Sequence, residues 1–154
     1  MGLYRVLSSI VTMICSFFAI STLFILFTAF ANPAMLFQCF IMASIVLYGW
    51  FANRFFAQVI ILKKTMSKKQ KDWLQVNAIV TFIASAIWVG GCVLILTSKE
   101  ALDEVIKMFP AKTKINTSQI LQAVDISLVI SFLLFVHVVW TYLLIRRNKK
   151  YFDS

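Results

Sequence analysis

The sequence predicts an all-α integral membrane protein, a bundle of four transmembrane helices running up-down-up-down. Three observations predict it. Hydrophobic residues make up 61% of the chain and charged residues 14%, where soluble domains carry about 45–50% and about 25%. Four apolar runs each exceed the roughly 20 residues that cross about 30 Å of hydrocarbon. The basic residues gather in short segments beside these runs, and the runs lack the period-two alternation of barrel strands. At 154 residues the chain has room for a single domain, 1–154.

The first span is placed at 6–31. It follows Arg5 and is too long for the 7–15-residue apolar core of a signal peptide, so a retained span is expected. Asn32-Pro33 ends it, because proline disfavours helical geometry in the residue before it. The second span, 34–62, is interrupted by Asn53, Arg54 and Gln58, which leaves its exit open between Asn53 and Lys63. If it leaves early, Phe55, Phe56, Val59 and Ile60 form an interfacial extension beside Trp50. A charged connector, 63–72, leads to the third span at 73–97, and the fourth runs over 120–145 before Arg146-Arg147-Asn148-Lys149-Lys150.

Between spans three and four lies the one sizeable connector. Thr97-Ser98-Lys99-Glu100 has the form of a capping box with Thr97 as the cap. Leu102, Val105, Ile106 and Phe109 then repeat on one helical face until Pro110. A short amphipathic helix over 98–109 is predicted, capping the bundle or lying on the membrane. Asn116-Thr117-Ser118 matches a glycosylation sequon, but Ser118 as a helix N-cap explains it more simply.

Positive-inside bias sets the expected orientation. Arg5, the cluster from Lys63 to Lys71 and the four basic residues from Arg146 to Lys150 fall on one side, and only Lys99, Lys107, Lys112 and Lys114 on the other. Both termini are therefore expected in the cytoplasm (N-in/C-in), in the cell's plasma or inner membrane. The net charge of +9 is read as attraction to anionic headgroups of the bilayer. Nucleic acid is not an expected partner, since no basic groove interleaved with aromatics appears.

Polar groups inside spans are costly and mark candidate sites. Arg54 lies nine residues before Lys63 and His137 nine before Arg146, so each would sit about 13 Å inside its boundary, at similar depth. Asn53, Gln58, Asn77 and Thr81 come from the same half of the bundle, with Thr141 one turn from His137. These residues form a candidate inward-facing site for an anionic or hydrogen-bond-accepting ligand, with Arg54 snorkelling to headgroups and His137 gluing helices as the plain alternative. Asp125, one turn into span four, suits the helix macrodipole and is the weaker candidate for an ion or proton. Ala86-x-x-x-Gly90 and the series Ala123, Ser127, Ser131 are small-residue faces that mark helix contacts, within the bundle or in a homo-oligomer or larger complex.

Reaction chemistry is not legible. No phosphate loop, zinc helix or nucleophile elbow is present, and one histidine cannot build a bis-histidine haem or multi-histidine metal site, so no cofactor is expected. Cys15, Cys39 and Cys92 all lie in apolar runs without a CxxC pair. Length and layout are similar to those of the membrane-associated eicosanoid and glutathione metabolism enzymes, but their arginine-, asparagine- and glutamate-rich second span is missing. The leading expectation is a non-enzymatic accessory or scaffold subunit acting through helix contacts. A small oligomeric transporter or channel using Arg54 and His137 is the first alternative, and a membrane enzyme or binder of an amphipathic anion or lipid the second.

Overall fold

The computed structural model describes residues 2–30, 32–108 and 116–152. Among them every regular element is helical: α1 (Gly2–Ala29), α2 (Pro33–Phe55) continuing into a π-helical turn (Phe56–Ile61), α3 (Lys68–Thr97), α4 (Lys99–Lys107), α5 (Thr117–Arg147) and a 3-10 turn (Lys149–Tyr151). Four of these, α1, α2 with its π turn, α3 and α5, are long and apolar enough to cross a membrane. The chain is a small multi-pass membrane protein.

Each boundary has a local cause. Asn32 caps α2 by accepting from the amide of Ala34 at 3.0 Å, and Pro33 takes the first helical position, where its missing N–H costs nothing. Ser67 caps α3, so that helix begins five residues before the apolar run predicted at 73. Two predicted caps move by one or two residues. Ser98, not Thr97, caps α4 by accepting from Ala101 N, while the Thr97 hydroxyl donates back to the Val93 carbonyl. Asn116, not Ser118, caps α5. Its side chain accepts from Ser118 N and its own amide donates to Gln119 Oε1, which leaves the sequon asparagine engaged in a capping box. Phe109 and Pro110 lie outside the described residues.

The second helix does not stop at Asn53. It continues through the π turn, where Leu62 N donates to the Ala57 carbonyl and Lys64 N to that of Gln58. Phe55, Phe56, Val59 and Ile60 are buried in the core rather than laid on an interface. Lys63 then reverses the chain at φ 54°, a left-handed conformation that costs an L-residue about 1–2 kcal/mol.

Packing is uneven along the bundle. The start of α1, the π turn, the start of α3 and the end of α5 meet at one end, called the basic end here. There Tyr4, Tyr48, Phe55, Val59, Met66 and Leu74 are essentially buried. The C-terminal turn closes this end: Met66 N donates to the Tyr151 carbonyl at 3.0 Å, Phe152 stacks on Phe55 at 5.8 Å, and the Lys71 ammonium lies over the Phe152 ring. A middle layer joins Val11, Cys15, Ile45 and Leu134. At the far end α4 lays Leu102, Val105 and Ile106 against Cys92, Ile120 and Val124, so this amphipathic helix covers the end of the α3–α5 pair.

Only one glycine is used inside the bundle. At Gly49 a Cβ would collide with the side chain of Cys15, whose thiol donates to the Ile45 carbonyl at 3.5 Å. The missing side chain lets α1 and α2 approach. Gly49→Ala is expected to destabilise the fold by about 1–3 kcal/mol, and Cys15→Ala to restore most of that loss in the double variant. Thermal unfolding in detergent of the four chains of this cycle measures the coupling.

Candidate functional site

One face of α5 carries Leu134, His137, Val138, Thr141, Leu144 and Ile145, all buried at helical spacing. It meets the face of α2 that carries Ile45, Tyr48, Ala52 and Phe55. Tyr4, in the first turn of α1, enters the same junction. The polar atoms of these three helices form one network. Thr141 Oγ1 lies 2.8 Å from Tyr4 Oη and 3.1 Å from Tyr48 Oη, and Tyr48 Oη lies 2.7 Å from His137 Nδ1. The Tyr4 ring stacks on the imidazole at 5.2 Å and 17°, and Tyr48 meets it edge-on at 75°.

Proton counting orders the network. A tyrosine has one hydroxyl proton, and Tyr48 donates it to Thr141. A neutral His137 then carries its proton on Nδ1 and donates to Tyr48, which leaves Nε2 as an acceptor. Nε2 is buried and has no hydrogen-bond partner among the described residues. Three hydroxyls and one imidazole thus share hydrogen bonds in an apolar junction, with no carboxylate or amine among them. Such an arrangement fixes helix register and holds one spare acceptor; it supplies neither a nucleophile activated by an acid–base pair nor a charge relay.

The sequence-predicted residues are only partly brought together. His137 and Thr141 are in the network, but Asn53 and Arg54 lie on the exposed side of α2 and Gln58 is half-buried. It is Tyr48, not Arg54, that α2 presents to His137. Arg54 shares the outward face with Trp50, four residues earlier and 67% exposed, the arrangement of a snorkelling cation beside an interfacial aromatic. Asn77 and Thr81 are buried on α3, yet their side chains donate to the Trp73 and Asn77 carbonyls of their own helix at 2.8 Å. Ser131 does the same on α5 with Ser127. This back-bonding satisfies a hydroxyl or amide inside the bundle without a partner from another helix.

Asp125 is exposed and lies eight residues into α5, about 12 Å from its start. That is beyond the first turn in which the macrodipole acts. The predicted small-residue faces divide. Ser131 is buried, while Ala86, Gly90, Ala123 and Ser127 all face out.

Two members of the network, Tyr4 and Tyr48, were not singled out from sequence. Their signal was available in principle, because a tyrosine hydroxyl inside an apolar span requires a partner. Tyr48→Phe is expected to cost about 0.5–2 kcal/mol, since it strands His137 Nδ1 and one bond of Thr141. Tyr4→Phe should cost less, because Tyr4 makes a single bond. Unfolding midpoints of the two variants in matched detergent check the order.

Comparisons with protein-family models, with curated proteins and with solved structures find no match.

Proposed function

We propose that this protein is a non-enzymatic membrane component, an accessory or scaffold subunit that docks against a transmembrane helix of another protein. The observation that carries the reading is the outward face of α3. Gly90 and Gly91 lie there side by side and exposed, and a Cβ added at either meets nothing among the described residues. Glycine inside a helix costs about 0.5–1 kcal/mol relative to alanine. At Gly49 that cost is offset by the close approach of Cys15; at Gly90 and Gly91 no described element uses it. With Ala86 one turn earlier, this is a bare strip of backbone on which a second helix can pack closely.

The chemistry at the same depth supports a partner. Cys92 of α3 packs in one cluster with Ile120 and Val124 of α5, so Gly91 and Asp125 stand at similar levels. Asp125 faces out of the bundle, as do Ala123 and Ser127. Neither α3 after Lys71 nor α5 before Arg146 contains a lysine or arginine. An outward carboxylate at this depth is matched by a basic or hydrogen-bond-donating side chain on the partner helix. In the proposed orientation both termini lie in the cytoplasm, where the basic end meets anionic headgroups.

The test is the mass of the gently solubilised complex. A partner is expected at fixed stoichiometry with the 17.6 kDa chain. Gly90→Leu should weaken that association about tenfold or more, equivalent to about 1.4 kcal/mol, and Asp125→Asn should weaken it as well. Neither should lower the unfolding midpoint of the isolated chain, because both positions face open space. A lone monomer, or a complex indifferent to both substitutions, overturns the proposal. A symmetric homo-oligomer would favour the transporter reading instead.

A further inference from the structure

A groove at the basic end has the make-up of a phospholipid site. It lies between the start of α1 and the π turn, has a volume of about 360 Å³, and is lined by Gly2, Arg5, Phe56, Ile60, Ile61 and Lys63. Its floor is apolar: Phe56 and Ile60 are buried and Ile61 is 55% exposed. Its rim carries two cations and no acid. This separation of charge and hydrocarbon across one groove matches an amphipathic anion and nothing fully water-soluble.

The backbone that shapes the groove is unusual in two respects. Hydrogen bonds of the π turn run from residue i+5 to residue i, as Leu62 N does to Ala57 O, and so bring residues five apart onto one face. Phe56 and Ile61 share the groove for that reason; in an α-helix of 3.6 residues per turn they would diverge. Next, Lys63 occupies a left-handed conformation, a position where glycine or asparagine is the usual choice. Lys63, held in that conformation, lines the groove together with Arg5. Strain retained at a binding lip is a recurrent mark of function.

Charge across the whole end agrees. Arg5, Lys63, Lys64, Lys68, Lys69 and Lys71 face only one described acid in the neighbouring segments, Asp72. From this we propose that the groove holds one anionic phospholipid, an acyl chain along Phe56, Ile60 and Ile61 and the phosphate between Arg5 and Lys63. The site is independent of the partner face on α3 and stands whether or not a partner docks there.

Native mass spectrometry of the purified full-length protein, supplied with phosphatidylglycerol or phosphatidylcholine of the same chain length, tests this. One phosphatidylglycerol per chain should be retained in preference to phosphatidylcholine. The double variant Arg5→Gln/Lys63→Gly should lose that retention about tenfold or more, the expected effect of removing two cations beside an anionic headgroup. Arg54→Gln, which lies outside the groove, should retain it. Lys63→Gly should keep or raise the unfolding midpoint, since glycine adopts the left-handed backbone freely, so loss of lipid cannot be ascribed to loss of fold. Equal retention of the two lipids overturns the proposal, as does retention by the double variant. Equal loss in Arg54→Gln would assign binding to the diffuse field of the basic end, and displacement by inorganic phosphate would assign it to a free-anion site; either result also overturns it.

Discussion

A hydroxyl or imidazole removed from water into hydrocarbon must find its hydrogen bond within the protein, and in this bundle side chains of α1, α2 and α5 meet to supply it. Tyr4, Tyr48, Thr141 and His137 each depend on a neighbour from a different helix or a different turn. Apolar packing in a bilayer is weakly specific, because lipid tails are as apolar as leucine. The network supplies what that packing lacks: a one-residue slip of any of the three helices would strand polar atoms at considerable cost. The aromatic stacking of Tyr4 on His137 and the burial of Phe55, Phe56 and Val59 around it follow from the same register.

Around that junction the rest of the protein sorts into inward and outward features. Back-bonded Asn77, Thr81 and Ser131 add polarity to the interior without asking anything of neighbouring helices. Of the four long helices α1 is the least enclosed and α5 the most. Helix α1 is tied to the bundle by Tyr4 at one end, by the Cys15–Gly49 contact in the middle and by Val11 packed with Ile45 and Leu134. The outward features are of another kind: bare backbone at Gly90 and Gly91, an unshielded Asp125, and a basic rim above an apolar groove.

Much of the fold was legible in the sequence because bilayer thickness imposes a long, simple signal. Four runs, the Asn32-Pro33 reversal and the α4 amphipathic repeat all follow from residue type and spacing. The caps were less legible, since Thr97 and Ser98, or Asn116 and Ser118, are chemically similar and only the backbone decides between them. The exit of the second span was ambiguous for a physical reason. Asn53 and Arg54 look like a boundary in one dimension, but they occupy one face of a helix whose other face, Phe55, Phe56 and Val59, stays in the core. The site showed the same limit. Depth matching found His137 and Thr141 but paired them with Arg54, because depth alone says nothing about which way a side chain points; Tyr48, six residues earlier, has the right face.

The hydrogen bond between Tyr4 and Thr141 joins residues 137 positions apart, which has a consequence for biosynthesis. The first helix leaves the ribosome with its tyrosine hydroxyl directed at a partner not yet made. At about 5–20 residues per second, the partner follows some 7–27 s later. During that interval the first span must be sheltered by the insertion machinery or by water at the headgroup boundary, and the bundle closes only when the last span arrives. A chain truncated before that span is left with an unsatisfied polar group at its N-terminal helix, a mark by which membrane quality control can tell an unfinished molecule from a finished one.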